Sequence, residues 1–187
     1  MMEPILIIGG AILLLFLFWD AMMCNALVRL RNMCKESWSD IDTELKRRYN
    51  LIPNLVETVK GYATHEKEVL QRVVEARNSA LANEGAPESQ ARDENQLIST
   101  LRHLFVLVEN YPELKANHNF LHLQKELANT EDRIQRARRF YNGNVRDLNN
   151  RIEVFPSNII ASMFDFQKQD YFEIDDATVR EVPLVEY

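Results

Sequence analysis

His118 and His122 stand four residues apart, a spacing that puts two imidazoles on one helix face within reach of a shared zinc ion. They form no His-Glu-x-x-His string and no third ligand is evident, so solvated surface histidines are the favoured reading. His65-Glu66 lacks a second histidine four residues on. Asp175 and Asp176 pair two carboxylates in an acidic tail, where solvation is a simpler role than acid–base work. Cys24 and Cys34 lie on one predicted helix, ~15 Å apart at 1.5 Å per residue, beyond disulfide reach. A nucleophilic Cys34 needs a histidine partner in an electropositive cleft, yet it falls on an apolar stripe. No phosphate loop, dinucleotide fingerprint or nucleophile elbow is present. The residues therefore name no catalytic group, no metal site and no cofactor. A non-enzyme is expected, with a metal-dependent hydrolase built on His118 and His122 as the weaker alternative.

The balance of 28 acidic to 22 basic residues, a net charge of -6, argues against a nucleic-acid binder, which needs a basic surface. Arg138 and Arg139 beside Phe140 and Tyr141 read as the charged rim of a packed seam rather than an RNA platform. Five glycines and six prolines are too few for a turn-rich β fold and favour long helices. The cluster Lys46-Arg47-Arg48 reads as a helix C-terminus, where cations complement the dipole.

These groups must be positioned by helices, and the first begins in an apolar run. Ile5 to Trp19 holds no charge, and Leu13, Leu14, Phe16 and Phe18 dominate it. Taken from Pro4 to Met23 the run spans ~30 Å of hydrocarbon. Trp19 suits the interfacial belt, and Asp20 sits within reach of the headgroups. A cleaved signal peptide fits poorly, because only Glu3 carries charge before the run and no Ala-x-Ala follows. Acylation of Cys24 stays open as an alternative, although Met22 and Met23 precede it where a small residue is expected. Arg29, Arg31 and Lys35 follow the span closely and are the candidates for lipid-headgroup contact. Basic residues on that side place the following domain in the cytoplasm and the N-terminus outside.

Beyond the span, Leu27, Leu30, Cys34, Trp38, Ile41 and Leu45 recur at helical spacing, which predicts one helix running from the membrane to about Tyr49. Pro53 favours the first turn of a second helix, from about Ile52 to Ala82, with Tyr62 on its buried stripe and Gly61 marking a close packing point. Asn83 to Pro87 is a loop, and a third helix follows from about Glu88 to Asn110. A fourth runs from about Asn119 to Phe155. Along it Phe120, Leu127, Ile134, Tyr141, Leu148 and Phe155 repeat every seven residues, a seam suited to coiled-coil or bundle packing. A short helix over Ile159 to Phe166 and an extended tail complete the chain. The expected fold is all-α: an N-terminal transmembrane helix continuing into an elongated antiparallel four-helix bundle. The expected organisation is an anchor over 1–28, a helical bundle over 29–167 and an acidic tail over 168–187.

Particular strings lie along this frame. Asn25-Ala26-Leu27-Val28-Arg29-Leu30-Arg31-Asn32 is followed by Trp38-Ser39-Asp40-Ile41-Asp42 and Leu45-Lys46-Arg47-Arg48-Tyr49-Asn50-Leu51-Ile52-Pro53-Asn54-Leu55-Val56. Tyr111-Pro112-Glu113-Leu114-Lys115-Ala116-Asn117, Thr130-Glu131-Asp132-Arg133-Ile134 and Ala137-Arg138-Arg139-Phe140-Tyr141-Asn142 come later, then Phe155-Pro156-Ser157-Asn158. In these strings the chain closely resembles the bacterial LemA family. The resemblance implies a single-pass protein of the bacterial inner membrane with an external N-terminus, a cytoplasmic helical domain, no established enzymatic activity and a loose link to envelope stress. Cys24 departs from the tyrosine that commonly precedes the family's Asn25 position.

The function expected is a non-catalytic scaffold or interaction protein, with an oligomeric membrane-organising protein as the alternative. The expected partners are the lipid bilayer, further copies of the chain and other membrane proteins, with neither nucleic acid nor a small-molecule substrate.

Overall fold

The computed structural model describes residues 2–174, with side chains from Ile7 onward. The predicted extended stretch from Val179 to Tyr187, Asp175 and Asp176, and the side chain of Ile5 lie outside the described residues. Six helices follow one another: α1 (Met2–Lys60), α2 (Lys67–Ala82), α3 (Pro87–Val108), α4 (Pro112–Lys115), α5 (His118–Glu153) and α6 (Ser157–Met163). The described residues contain no strand, so the all-α expectation holds, with a long apolar N-terminal helix and bundle-like helical packing.

The described residues form two compact units. One draws on residues 2–40 and 139–169, the other on residues 41–138 and 170–174.

In the first unit, α1 and α5 run antiparallel. Trp38 packs its ring 5.4 Å from that of Tyr141, and Leu27, Cys34, Val145 and Leu148 are buried. A polar joint lies within this apolar contact. Asn144 donates from Nδ2 to Ser37 Oγ at 3.1 Å, while Ser37 donates to the Met33 carbonyl at 2.7 Å. The α6 helix ends in a left-handed turn at Asp165 (φ 53°). The amide of Phe166 reaches the Ala161 carbonyl at 2.9 Å and that of Asp165 the Ser162 carbonyl, a Schellman cap. The cap turns Phe166 inward, and the Arg31 guanidinium lies 5.2 Å from the centre of its ring.

In the second unit the later part of α1, α2, α3 and the early part of α5 pack together around Leu55, Val59, Val73, Leu97, Leu104 and Phe120. Here the first helix departs from expectation. It does not stop near Tyr49 but runs through Pro53 to Lys60. Proline lacks the N–H that would bond the carbonyl four residues back, that of Tyr49. Arg77 of α2 donates its Nε to this carbonyl at 3.2 Å, so the interruption is repaired from outside the helix.

The break falls instead at Gly61–Glu66, and α2 is correspondingly shorter than predicted. Gly61 is not a packing point: a side chain there would meet only the Thr58 carbonyl, at ordinary contact distance. Its role is to end the helix, because glycine is about 1 kcal/mol worse than alanine inside one. Tyr62, expected on the buried stripe, lies beyond that end and is exposed. Its hydroxyl accepts from Asn117 Nδ2 at 2.9 Å, while Asn117 Oδ1 accepts the Phe120 amide and caps α5.

The α2–α3 loop is held by one side chain. Asn83 Oδ1 accepts the Gly85 amide at 2.8 Å, and its Nδ2 donates to Ser89 and Asp93. A Cβ on Gly85 would sit 3.0 Å from Asn83 Oδ1 and 3.3 Å from Ser89 Cβ, so a larger residue would push these side chains aside by a few tenths of an ångström.

The heptad seam also stops earlier than its sequence pattern. Phe120, Leu127, Ile134, Tyr141 and Leu148 are buried, but α5 ends at Glu153 and Phe155 is 76% exposed.

Candidate functional site

Two places in the molecule combine unusual residue environments, an apolar helix stripped of neighbours and a buried cluster of charge.

The helix Ile7–Lys60 is, among the described residues, long and apolar enough to cross a membrane, and none of its most apolar stretch is buried. Leu13, Leu14, Phe16 and Phe18 are each more than half exposed, whereas core residues of a water-soluble helix would be covered. Ten large apolar side chains between Ile7 and Met22 are exposed in this way, and in water they would carry a large transfer cost, which lipid removes. The chain is therefore a membrane protein. Trp19 is half-buried, its ring 6.1 Å from that of Phe16. Arg29, Arg31 and Lys35 are all exposed on the turns that follow. Arg31 is engaged with Phe166, whereas Arg29 lines a groove of about 790 Å³ opposite the end of α5.

The charge cluster lies in the second unit, built around a residue whose sequence context predicts a cation at a helix C-terminus. Arg48 is not a surface cation at a helix end. It is 2% exposed, and its guanidinium bonds Glu94 of α3 and, at 2.6 Å, Glu131 of α5. Lys46 and Arg47 do stay outside, near Asp42 and Glu44. Glu94 is fully buried and accepts three donors: Arg48, the Tyr49 hydroxyl and Gln90 Nε2 at 3.0 Å. Gln90 also donates to the Ala80 carbonyl at 2.9 Å. One network thus joins residues of α1, α2, α3 and α5.

Its electrostatics keep both cationic and phenolic protons in place. Burial alone would lower the Arg48 pKa, but the charges of Glu94 and Glu131 outweigh it and raise the value above normal. Burial, then the charge of Glu94, pushes Tyr49 well above the ordinary phenol range. Tyr49 is therefore a donor at neutral pH. A carboxylate held by three fixed donors and closed off from solvent offers no oxygen to a substrate, so the arrangement suits a structural lock between helices.

The sequence did carry a signal for this cluster. Ile41, Leu45, Arg48, Ile52, Leu55 and Val59 alternate at four and three residues, so Arg48 occupies a stripe position. Glu94 falls likewise between Gln90 and Leu97 on the stripe of α3. A charge inside an apolar stripe asks for a buried partner.

Among the other seam candidates, Ile41, Leu45, Phe120, Leu127, Ile134, Tyr141 and Leu148 are buried, and Trp38 is half-buried against Tyr141. His118 and His122 are both exposed, and no group of three or more potential ligand residues converges among the described residues. Both cysteines are free thiols. Cys34 is buried, and desolvation followed by the charge of Asp147 raises its pKa, the opposite of an activated nucleophile. Cys24 is half-buried.

Comparison with known proteins gives one family. The family model described as "LemA family" matches residues 37–187. "Protein LemA" of Metamycoplasma hominis is 28% identical over 153 residues, covering 81% of this chain and 69% of that protein. "Magnetosome protein MamQ 2" of Paramagnetospirillum magneticum is 24% identical over 177 residues, covering 81% of this chain and 65% of that protein. "Magnetosome protein MamQ" of Magnetospirillum gryphiswaldense is 23% identical with the same coverage. The chain spans about two thirds of the length of these relatives.

Proposed function

The chain belongs to the LemA family, and from that premise we propose that it is a non-catalytic, single-pass scaffold that holds partners at a bacterial inner membrane. The bare apolar helix α1 carries the reading, because it ties a packed helical unit to lipid without any intervening linker. The side chains that usually do chemistry are occupied structurally, as Glu94, Tyr49 and Arg48 are, or stand alone on the surface, as His118 and His122 do. Arg29, Arg31 and Lys35 beyond the span support a cytoplasmic helical domain and an external N-terminus. Further copies of the chain and other membrane proteins are the partners proposed, and exposed Val106 and Phe140 are apolar residues available to them. A link to envelope stress follows from family resemblance.

In-cell photocrosslinking from Val106 and Phe140, with identification of the adducts, tests the scaffold. Discrete adducts to the chain itself or to other membrane proteins are expected. A detergent-solubilised monomer at every concentration, with no adduct in cells, would overturn it. Protease digestion of spheroplasts tests orientation: a protected helical domain is expected, and its digestion from outside reverses the topology.

Similarity to two proteins named for the magnetosome favours a second reading, in which many copies organise the bilayer itself. Purified protein at high density on liposomes would then change vesicle shape in electron micrographs, and unchanged vesicles would eliminate this reading.

A further inference from the structure

In the first unit, the groove between α1 and the end of α5 begins at Met22 and Met23, where the apolar run of α1 gives out. Val154 and Phe155 form its opposite wall, and Arg29 and Arg151 also line it. We infer that this groove seats one anionic phospholipid, its acyl chain against Met22, Met23, Val154 and Phe155 and its phosphate between Arg29 and Arg151. The inference rests on the reading of α1 as a membrane span.

The order of residues along the groove matches the order of layers in a bilayer leaflet. Because α1 and α5 are antiparallel here, the apolar residues of both helices lie at the membrane end and the arginines on the water side. Arg29 stands seven residues after Met22, ~10 Å along the axis, and helical side chains lean back towards the N-terminus. That lean brings the guanidinium down towards the phosphate layer, which lies ~5–7 Å outside the hydrocarbon. Arg151 precedes Phe155 by about one turn.

The charges are complementary to an anion. Among the described residues neither Arg29 nor Arg151 has a carboxylate partner. The groove's one carboxylate, Asp147, lies further from the membrane end and is approached at 3.4 Å by Arg146. A guanidinium recognises a phosphate through paired N–H donors, so two of them favour an anionic headgroup over a zwitterionic one.

A second observation supports the same placement. Past the groove, α6 and the residue that follows it expose Ile159, Met163 and Phe164, each more than half uncovered. Ile159 and Met163 are four residues apart and share a face of α6, opposite buried Ile160 and Ala161. Apolar side chains at this level are suited to the headgroup–acyl boundary.

The full chain in nanodiscs of equal phosphatidylglycerol and phosphatidylcholine, released in native mass spectrometry, tests the site. One retained phosphatidylglycerol is expected, preferred about tenfold over phosphatidylcholine, given the attraction of two arginines for anionic lipid. Arg29→Gln with Arg151→Gln should abolish the preference, while Lys46→Gln with Lys60→Gln, an equal charge loss at exposed positions far from the groove, should keep it. No preference in the natural chain, or equal loss in both double variants, overturns the site. Sodium carbonate extraction of the same samples separates the two readings. Protein that stays in the membrane without lipid preference refutes only the groove, whereas protein released by carbonate refutes the span.

Discussion

Arg77 Nε donates to the carbonyl of Tyr49 at 3.2 Å, and that carbonyl is the acceptor Pro53 leaves without its helical partner. A proline inside a helix costs about 3 kcal/mol or more, through the missing bond and the ring's clash with that carbonyl. The arginine offsets part of the cost and lets α1 continue two more turns, to Lys60.

The first prediction is a coupling between these two positions. Arg77→Ala should destabilise the domain by about 1–2 kcal/mol, as expected for a charged donor to a backbone oxygen. With Pro53→Ala in place, residue 53 supplies the N–H itself and the same arginine change should cost much less. A double-mutant cycle by thermal melting reads this directly, and additive effects would show that Arg77 serves some other purpose.

Loss of one member of the buried network should be severe. Glu94→Leu leaves buried Arg48 with only the partly exposed Glu131 as counter-charge, strips Tyr49 and Gln90 of their acceptor, and should cost about 3–5 kcal/mol. Glu131→Gln should cost under about 1 kcal/mol, because that side chain is 35% exposed and the pair is partly screened. Urea titrations of the solubilised variants rank the two. Membrane fractionation of both should match the natural chain, since the cluster lies outside the span.

Alkaline pH should weaken the fold through Tyr49. Its pKa is raised in the folded state above the ordinary 10.0, so the folded form holds the phenolic proton more tightly than the unfolded form does. The contribution is fully present below pH 10 and is lost as pH rises beyond it. Cys34, raised from 9.0, adds a loss of the same sign beginning nearer pH 9. Stability measured from pH 8 to 11 should fall, and Tyr49→Phe should flatten the part above pH 10. An unchanged slope in that variant would remove the tyrosine from the account.

Two positions in one heptad register should behave oppositely. Leu148→Ala opens a cavity in the first unit and should cost about 2–5 kcal/mol. Phe155→Ala, seven residues on, should change the melting free energy by less than about 0.5 kcal/mol, because the ring is exposed. If Phe155→Ala melted as poorly as Leu148→Ala, the corner would be packed rather than turned outward.

Helix type and most of the core were legible in the sequence because periodicity is local. The seam from Phe120 to Leu148 and the stripe of Ile41 and Leu45 follow from three- and four-residue steps alone, and the buried residues fall where those steps put them. The apolar run of α1 needed only composition, since lipid selects for length and charge rather than for partners. Interruptions were not legible in the same way. Whether Pro53 ends a helix depends on who satisfies the Tyr49 carbonyl, and the answer is a residue 28 positions away. Whether Arg48 faces water depends on Glu94 and Glu131, 46 and 83 positions away. Phe155 keeps the heptad register but lies past the end of the helix that gives the register meaning. Sequence by itself determined an all-helical chain with a lipid-seeking first helix and a continuous seam. Only the tertiary structure decided where α1 breaks, which charges are buried, and that the groove beside Met22 carries two arginines without carboxylate partners among the described residues. Hydrophobic pattern repeats along a chain, whereas a buried hydrogen bond is settled by whichever distant donor the packing brings within about 3 Å.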